Sequence, residues 1–257
     1  MRTIAIVNLK GGVGKTITAV NLAAILATEY HQRVLLVDAD PQANATQSLL
    51  PPGEYNTLDR LLLGDELQYE NLCYESSIRG LTIIPADDGL WDLEVDLLRG
   101  RRLDLTALQS LRDAIMEDDC FDFMVIDCPP SISYSCAAAI VASTDVIIPI
   151  KLDAYAMRGM STLAAQIKRL RRICPDAHIS GVLPTVWYHS NSMEQGEKLL
   201  REYAPCRVFN TRIRRSPKVD ESTWTGEPVV CWSPRSAAAQ DYRTFAAELF
   251  GEEAAKQ

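Results

Sequence analysis

The run Lys10-Gly11-Gly12-Val13-Gly14-Lys15-Thr16 follows directly on a β-branched stretch, Ile4–Val7, and opens a segment of helical period. Glycines at 11, 12 and 14 free the backbone to turn its N–H groups inward around phosphate oxygens, and the N-terminus of the following helix adds partial positive charge. Lys15 would reach the β- and γ-phosphates and Thr16 would offer its hydroxyl to Mg²⁺, while the backbone at Val13 and Ile17 completes the cradle. These residue types at this spacing imply a site for ATP and Mg²⁺.

Carboxylates at strand ends complete the candidate chemistry. One apolar run ends Val37-Asp38-Ala39-Asp40-Pro41-Gln42, and another, Phe123–Asp127, leads into Cys128-Pro129-Pro130. In open α/β sheets the C-terminal ends of parallel strands face the crevice where ligands bind. By the two-residue period Asp38 and Asp40 share a side of their strand. Phosphoryl transfer needs positioning and charge stabilisation, so one carboxylate can hold Mg²⁺ or its waters while another orients the attacking water. Asp127 is the candidate for the metal's water shell.

Leu9 stands where a standard phosphate loop has its first glycine, and an additional lysine, Lys10, follows it. This deviant Walker A sequence, together with Asp38-Ala39-Asp40-Pro41-Gln42-Ala43-Asn44-Ala45-Thr46 and Asp127-Cys128-Pro129-Pro130, resembles the ParA/MinD family of P-loop ATPases. The likeness continues through Pro149 to Gly159, Gly181 to Thr185 and Phe209 to Val229, nearly the whole chain. It departs from the family at Ile17, where threonine is usual, at Ala43, usually glycine, and at Arg214, usually proline. The resemblance implies that Lys10 reaches across an ATP-dependent homodimer to the partner's phosphates. It also implies that Asp40 is the hydrolytic aspartate and Asp38 a magnesium-side one, and that Thr185, Ile213 and Arg214 lie beside the adenine. The catalytic set is then Lys10, Lys15 and Asp40, and the metal set Thr16, Asp38 and Asp127.

These residues need a frame. Apolar runs at Ile4–Val7, Val34–Asp38, Leu81–Pro85, Phe123–Asp127, Val146–Ile150, Ile179–Pro184 and Cys206–Phe209 read as seven strands. Helical periods near 15–29, 88–98, 105–117, 134–143, 158–173, 192–203 and 236–250 alternate with them. That rhythm predicts a single doubly wound, mostly parallel α/β sheet with helices on both faces, one domain over residues 1–257. The 257 residues carry 47% hydrophobic and 23% charged side chains, which excludes a disordered or fibrous chain. Seven scattered cysteines without a Cys-x-x-Cys pair give metal or iron–sulfur ligation little support. No signal peptide, transmembrane run or basic amphipathic anchor is evident, so a cytoplasmic location without membrane contact is expected.

The formal net charge of −8 argues against a surface basic all round. It leaves room for a local basic face. Lys168, Arg169, Arg171 and Arg172 fall on one helix period, and Arg207, Arg212, Arg214, Arg215 and Lys218 cluster later: nine of the 26 basic residues. Doubled in a dimer, such a face could bind DNA without regard to sequence. Signatures of other branches of the family, cluster cysteines, a C-terminal amphipathic helix or a tyrosine-rich tail, are missing. The resemblance therefore implies an ATPase of DNA partitioning, nucleoid-associated when ATP-bound, with a ParB-like adaptor. The alternative is a nucleotide-switched regulator acting on a protein partner. A small-molecule ligase sharing the loop would need substrate residues that the sequence does not offer.

Overall fold

The computed structural model describes residues 1–65, 68–153, 156–170 and 176–251. Seven strands form one sheet: β1 (Arg2–Ile6), β2 (Val34–Asp38), β3 (Tyr74–Glu75), β4 (Leu81–Ile84), β5 (Phe123–Asp127), β6 (Asp145–Lys151) and β7 (His178–Thr185). Their order is β3-β4-β2-β5-β1-β6-β7, and every pair is parallel except β3 with β4. β2 is buried along its whole length, the pattern of a strand covered on both faces, so branched apolar residues fill it without polar alternation.

Helices cover the two faces with separate cores. On one lie α1 (Lys15–Thr28), α2 (Asn44–Leu49), α10 (Val229–Trp232) and α11 (Ala237–Phe250), around Leu22, Ile25, Val229, Tyr242 and Phe245. On the other lie α3 (Leu58–Leu62), α4 (Leu90–Leu98), α5 (Ala107–Glu117), α6 (Tyr134–Ala142), α7 (Ala156–Leu170) and α8 (Asn191–Tyr203). The helix α9 (Pro217–Thr225) starts with proline after a Ser216 cap and ends at Gly226 in left-handed backbone, start and stop signals that sequence periodicity passes over.

One strand expectation needs correction, and one strand was not expected. Cys206–Phe209 forms no strand; it makes one isolated parallel bridge, Val182 with Val208, closed by Val182 N–H to the Arg207 carbonyl and Phe209 N–H to the Val182 carbonyl. The run is apolar because Phe209 is buried against Phe245, so its pattern records burial without a ladder. The seventh strand is instead β3, a two-residue antiparallel edge too short to leave a period.

β1 lies between β5 and β6, so the chain leaves it to one side through β2 and crosses to the other at β6. That is the switch point of an open sheet, and the 7–14 loop lies at its carboxyl end.

Candidate nucleotide site

The loop is held from beneath. Asn8 donates through Nδ2 to the Pro149 carbonyl at 2.6 Å and accepts the Lys10 N–H at 2.9 Å, fixing the loop's entry to β6. Thr185 Oγ1 donates to the Val13 carbonyl at 2.7 Å, fixing its middle to β7. Gly12 and Gly14 sit at φ +70° and +82°, where a side chain would be strained. A Cβ at Gly11, Gly12 or Gly14 would meet nothing within 4 Å, so the loop opens onto free space. Gly14 caps α1 without a side-chain acceptor, leaving the first N–H groups of the helix for a ligand.

Lys15 is buried, and its ammonium donates to the Lys10 carbonyl at 3.2 Å. Burial lowers its pKa, and Asp127 and Asp40 oppose that shift. Lys10 is exposed, its ammonium paired with the Asp153 carboxylate. Thr18 turns inward to the Tyr242 hydroxyl at 3.3 Å, so the threonine beyond Ile17 belongs to the core.

The three aspartates occupy three different settings. Asp38 is fully buried with both oxygens engaged: Oδ2 accepts Thr46 N–H and Oγ1, each at 2.8 Å, and Oδ1 accepts Asp40 N–H at 3.1 Å. Burial pushes its carboxyl up to about 6 despite these bonds. Asp127, its register partner on β5, is also fully buried, and neither oxygen has a hydrogen-bond partner. Burial and the Asp38 charge push Asp127 well above the carboxylate range, with Thr16 and Lys15 offsetting only part of this. A buried, unsatisfied carboxylate beside the Thr16 hydroxyl is the donor set that a hydrated Mg²⁺ would satisfy. Asp40 lines the open cleft, and its Oδ1 accepts Gln42 N–H at 3.0 Å. Ser135 Oγ donates to the Ala39 carbonyl at 2.9 Å, tying the start of α6 to this segment through a bond with no local sequence signal.

Two adjoining cavities meet at the loop. One, of about 720 Å³, runs from Gly11, Lys15 and Thr16 past Asp40 to Trp224. The other, of about 510 Å³, is lined by Ile17, Thr185, Tyr188, Ile213, Arg214 and Asp220, among others. Ile213 and Arg214 both line this second cavity. Thr185 reaches the same cavity, but its hydroxyl is committed to the loop. Tyr188, Asp220 and Trp224 escape a reading of the sequence, since single exposed residues on loops and helix ends carry no period.

The basic residues are not one free face. Lys168 and Arg169 are exposed in the last turn of α7; Arg171 and Arg172 lie outside the described residues. Arg212 pairs with the buried Glu197 and lies over the Trp187 ring. Arg207 pairs with Glu248, Arg214 with Asp241 and Lys218 with Glu221. Arg215 forms no ion pair among the described residues.

The AAA domain family matches residues 1–178. The chain is 34% identical to the chromosome partitioning protein ParA of Caulobacter vibrioides, over 100% of this chain and 97% of that one. Among solved structures it is similar to apo McdA from Cyanothece (TM-score 0.84, 26% identity, 98% of this chain and 100% of that one). It is also similar to cobyrinic acid a,c-diamide synthase from Mycobacterium smegmatis bound to an ATP analogue and magnesium (TM-score 0.82, 30% identity, 96% and 92%).

Proposed function

The chain belongs to the ParA/MinD family of P-loop ATPases, with ATP and Mg²⁺ as its ligands, and from that premise we propose that it hydrolyses ATP to drive partitioning or positioning of a cargo. ATP brings two protomers face to face, the dimer binds DNA without sequence preference, and a ParB-like adaptor hastens release. The observation that carries this reading is the convergence on one cleft of the glycine loop, Lys15, Thr16 and Asp40, with the unsatisfied Asp127 behind them.

Bound Mg²⁺ would supply charge neutralisation to the transferring phosphate. Thr16 and Asp127 are the residues that would hold it. Asp38, its oxygens taken by Thr46 and Asp40, acts on the site chiefly by fixing the turn that presents Asp40. The Asp40 carboxylate orients a water in line with the γ-phosphate. The water oxygen bonds to phosphorus as the bridging P–O bond breaks, leaving ADP and inorganic phosphate. Lys15 stabilises the charge on the transferring group from its own chain, and Lys10, on leaving Asp153, does so from the partner.

Lys15→Ala should abolish ATP binding in equilibrium dialysis. Asp40→Ala should keep binding, cut turnover by about 10²-fold or more, and accumulate an ATP dimer in sizing chromatography. Normal hydrolysis by Asp40→Ala would sink the assignment of the water-positioning residue. The ion pairing of Arg207, Arg212, Arg214 and Lys218 favours a second reading, a nucleotide-switched regulator of a protein partner. Unchanged ATP-dependent DNA retention in Arg214→Ala/Arg215→Ala would support it.

A further inference from the structure

The second cavity at the loop carries more positive charge than a base and a sugar call for. We propose that it receives nucleotides bearing a further phosphate on a ribose hydroxyl, 2′ or 3′, besides the 5′ chain held by the glycine loop. The inference deepens the reading of the loop as a nucleotide site and rests on it.

Three cations, Lys151, Arg214 and Arg215, line this space of about 510 Å³ against one carboxylate, Asp220. The 5′ chain already has a cation of its own in Lys15, on the other side of the loop. A base and a ribose are uncharged and ask only for apolar surface and hydroxyls, which Ile17 and Tyr188 provide. Lys151 and Arg215 are exposed and form no ion pair among the described residues. Arg214 is held by Asp241 through Nε and Nη2, while its Nη1 makes no hydrogen bond among the described residues. The cavity therefore offers ammonium and guanidinium donors, the groups that suit a phosphate, where ATP itself brings no charge.

The backbone sets these cations on two sides of one strand end. Lys151 closes β6 and is the register partner of Thr185, which closes β7. The 213–215 segment runs along the other side of β7: Ile213 N–H donates to the Pro184 carbonyl at 2.8 Å, Trp187 N–H to the Ile213 carbonyl at 3.0 Å, and Arg215 N–H to the Trp187 carbonyl at 2.8 Å. Lys151 and the 213–215 segment are thus about two strand spacings apart, roughly 10 Å, a span that two long side chains can close around one phosphate. Thr185 Oγ1 bonds the Val13 carbonyl, so the glycine loop lies over the strand that the cations flank. Gly12 and Gly14 line the same cavity, which makes the loop and the cations parts of one continuous space.

The probes are adenosine 3′,5′-bisphosphate and adenosine 2′,5′-bisphosphate, titrated calorimetrically into the full chain beside adenosine 5′-monophosphate. One bisphosphate should bind about tenfold tighter than the monophosphate, and the isomer preferred identifies the hydroxyl. In Lys151→Gln/Arg215→Gln that advantage should shrink to about twofold or less, whereas Lys151→Arg/Arg215→Lys should keep it. Arg79→Gln/Lys198→Gln removes the same charge from exposed positions elsewhere and should leave the advantage whole. Bisphosphates that bind no tighter than the monophosphate overturn the proposal, as does an advantage lost equally in Arg79→Gln/Lys198→Gln, which would belong to overall charge. An advantage that survives in Lys151→Gln/Arg215→Gln while DNA retention falls overturns it too, and assigns these cations to DNA. ATP titrated into the wild type separates the two readings: ATP binding without a bisphosphate advantage sinks the ribose-phosphate site alone, and no ATP binding sinks the nucleotide site itself.

Discussion

At the scale of single residues, Ala43 and Thr185 show what the site asks of positions that touch no phosphate. Ala43 caps α2 at φ 53°, a left-handed conformation that a Cβ disfavours, between Asp40 and the helix carrying Thr46. Ala43→Gly removes that strain and should stabilise the fold by about 0.5–1 kcal/mol after the larger chain entropy of glycine, seen as a rise of roughly 1–3 °C in the melting temperature. Thr185 is the only side chain among the described residues bonded to the Val13 carbonyl. Thr185→Val keeps its volume and should weaken ATP binding about threefold to tenfold in calorimetric titration, whereas Thr185→Ser should restore it. That the glycine loop, Lys15, Thr16 and Asp40 line one cleft is legible in the sequence because their placement depends on local spacing. The engagement of Asp38 is not, because its partner Thr46 lies eight residues on and returns only through the turn at Ala43.

At the scale of elements, the parallel strands are legible wherever a buried branched run meets a full ladder. Val34–Asp38 and Phe123–Asp127 coincide with their predicted bounds, since both are central and pair on two sides. Cys206–Phe209 reads wrongly as a strand because Phe209 needs burial and not a ladder, and α2 and α3 leave no mark because five or six residues hold too little period. At the far end of the sheet from the nucleotide cleft, β1 and β6 are locked by Arg2, whose guanidinium reaches both oxygens of Asp145 at 3.0 and 2.7 Å. Burial alone would raise the Asp145 carboxyl, but bonds from Arg2, Ser180 and Thr144 hold it down at about 2, against an ordinary 3.8. A depressed carboxylate stabilises the fold above its unfolded pKa and loses that effect as pH falls through the folded one. Asp145→Asn should therefore cost about 1–2 kcal/mol at pH 7 in urea denaturation, allowing for the partly exposed Arg2. The gap to the wild type should close between about pH 4 and pH 2.

At the scale of the whole molecule, most of the late basic cluster is engaged in ion pairs with acidic side chains while its arginines stay about half exposed. Glu197, nearly buried on α8, takes Arg201 and Arg212 together, and Glu248 and Asp241 on α11 hold Arg207 and Arg214 against the sheet. A cluster that looks like a nucleic-acid face in one dimension is, in three, largely the means by which α8 and α11 are fastened to the 207–214 segment. The consequence separates two classes of variant. Arg212→Ala leaves Glu197 with one partner instead of two, and should cost about 1–2 kcal/mol of stability in denaturant titration while leaving DNA retention little changed. Lys168→Ala/Arg169→Ala removes two exposed charges that form no ion pair among the described residues, and should leave stability within about 0.5 kcal/mol of the wild type. If these side chains meet phosphates in the ATP-bound dimer, the slope of log DNA affinity against log salt should fall by about one for each phosphate no longer neutralised. A slope unchanged in Lys168→Ala/Arg169→Ala and lowered in Arg212→Ala would place the DNA face on the paired cluster, and would require its ion pairs to open when ATP binds.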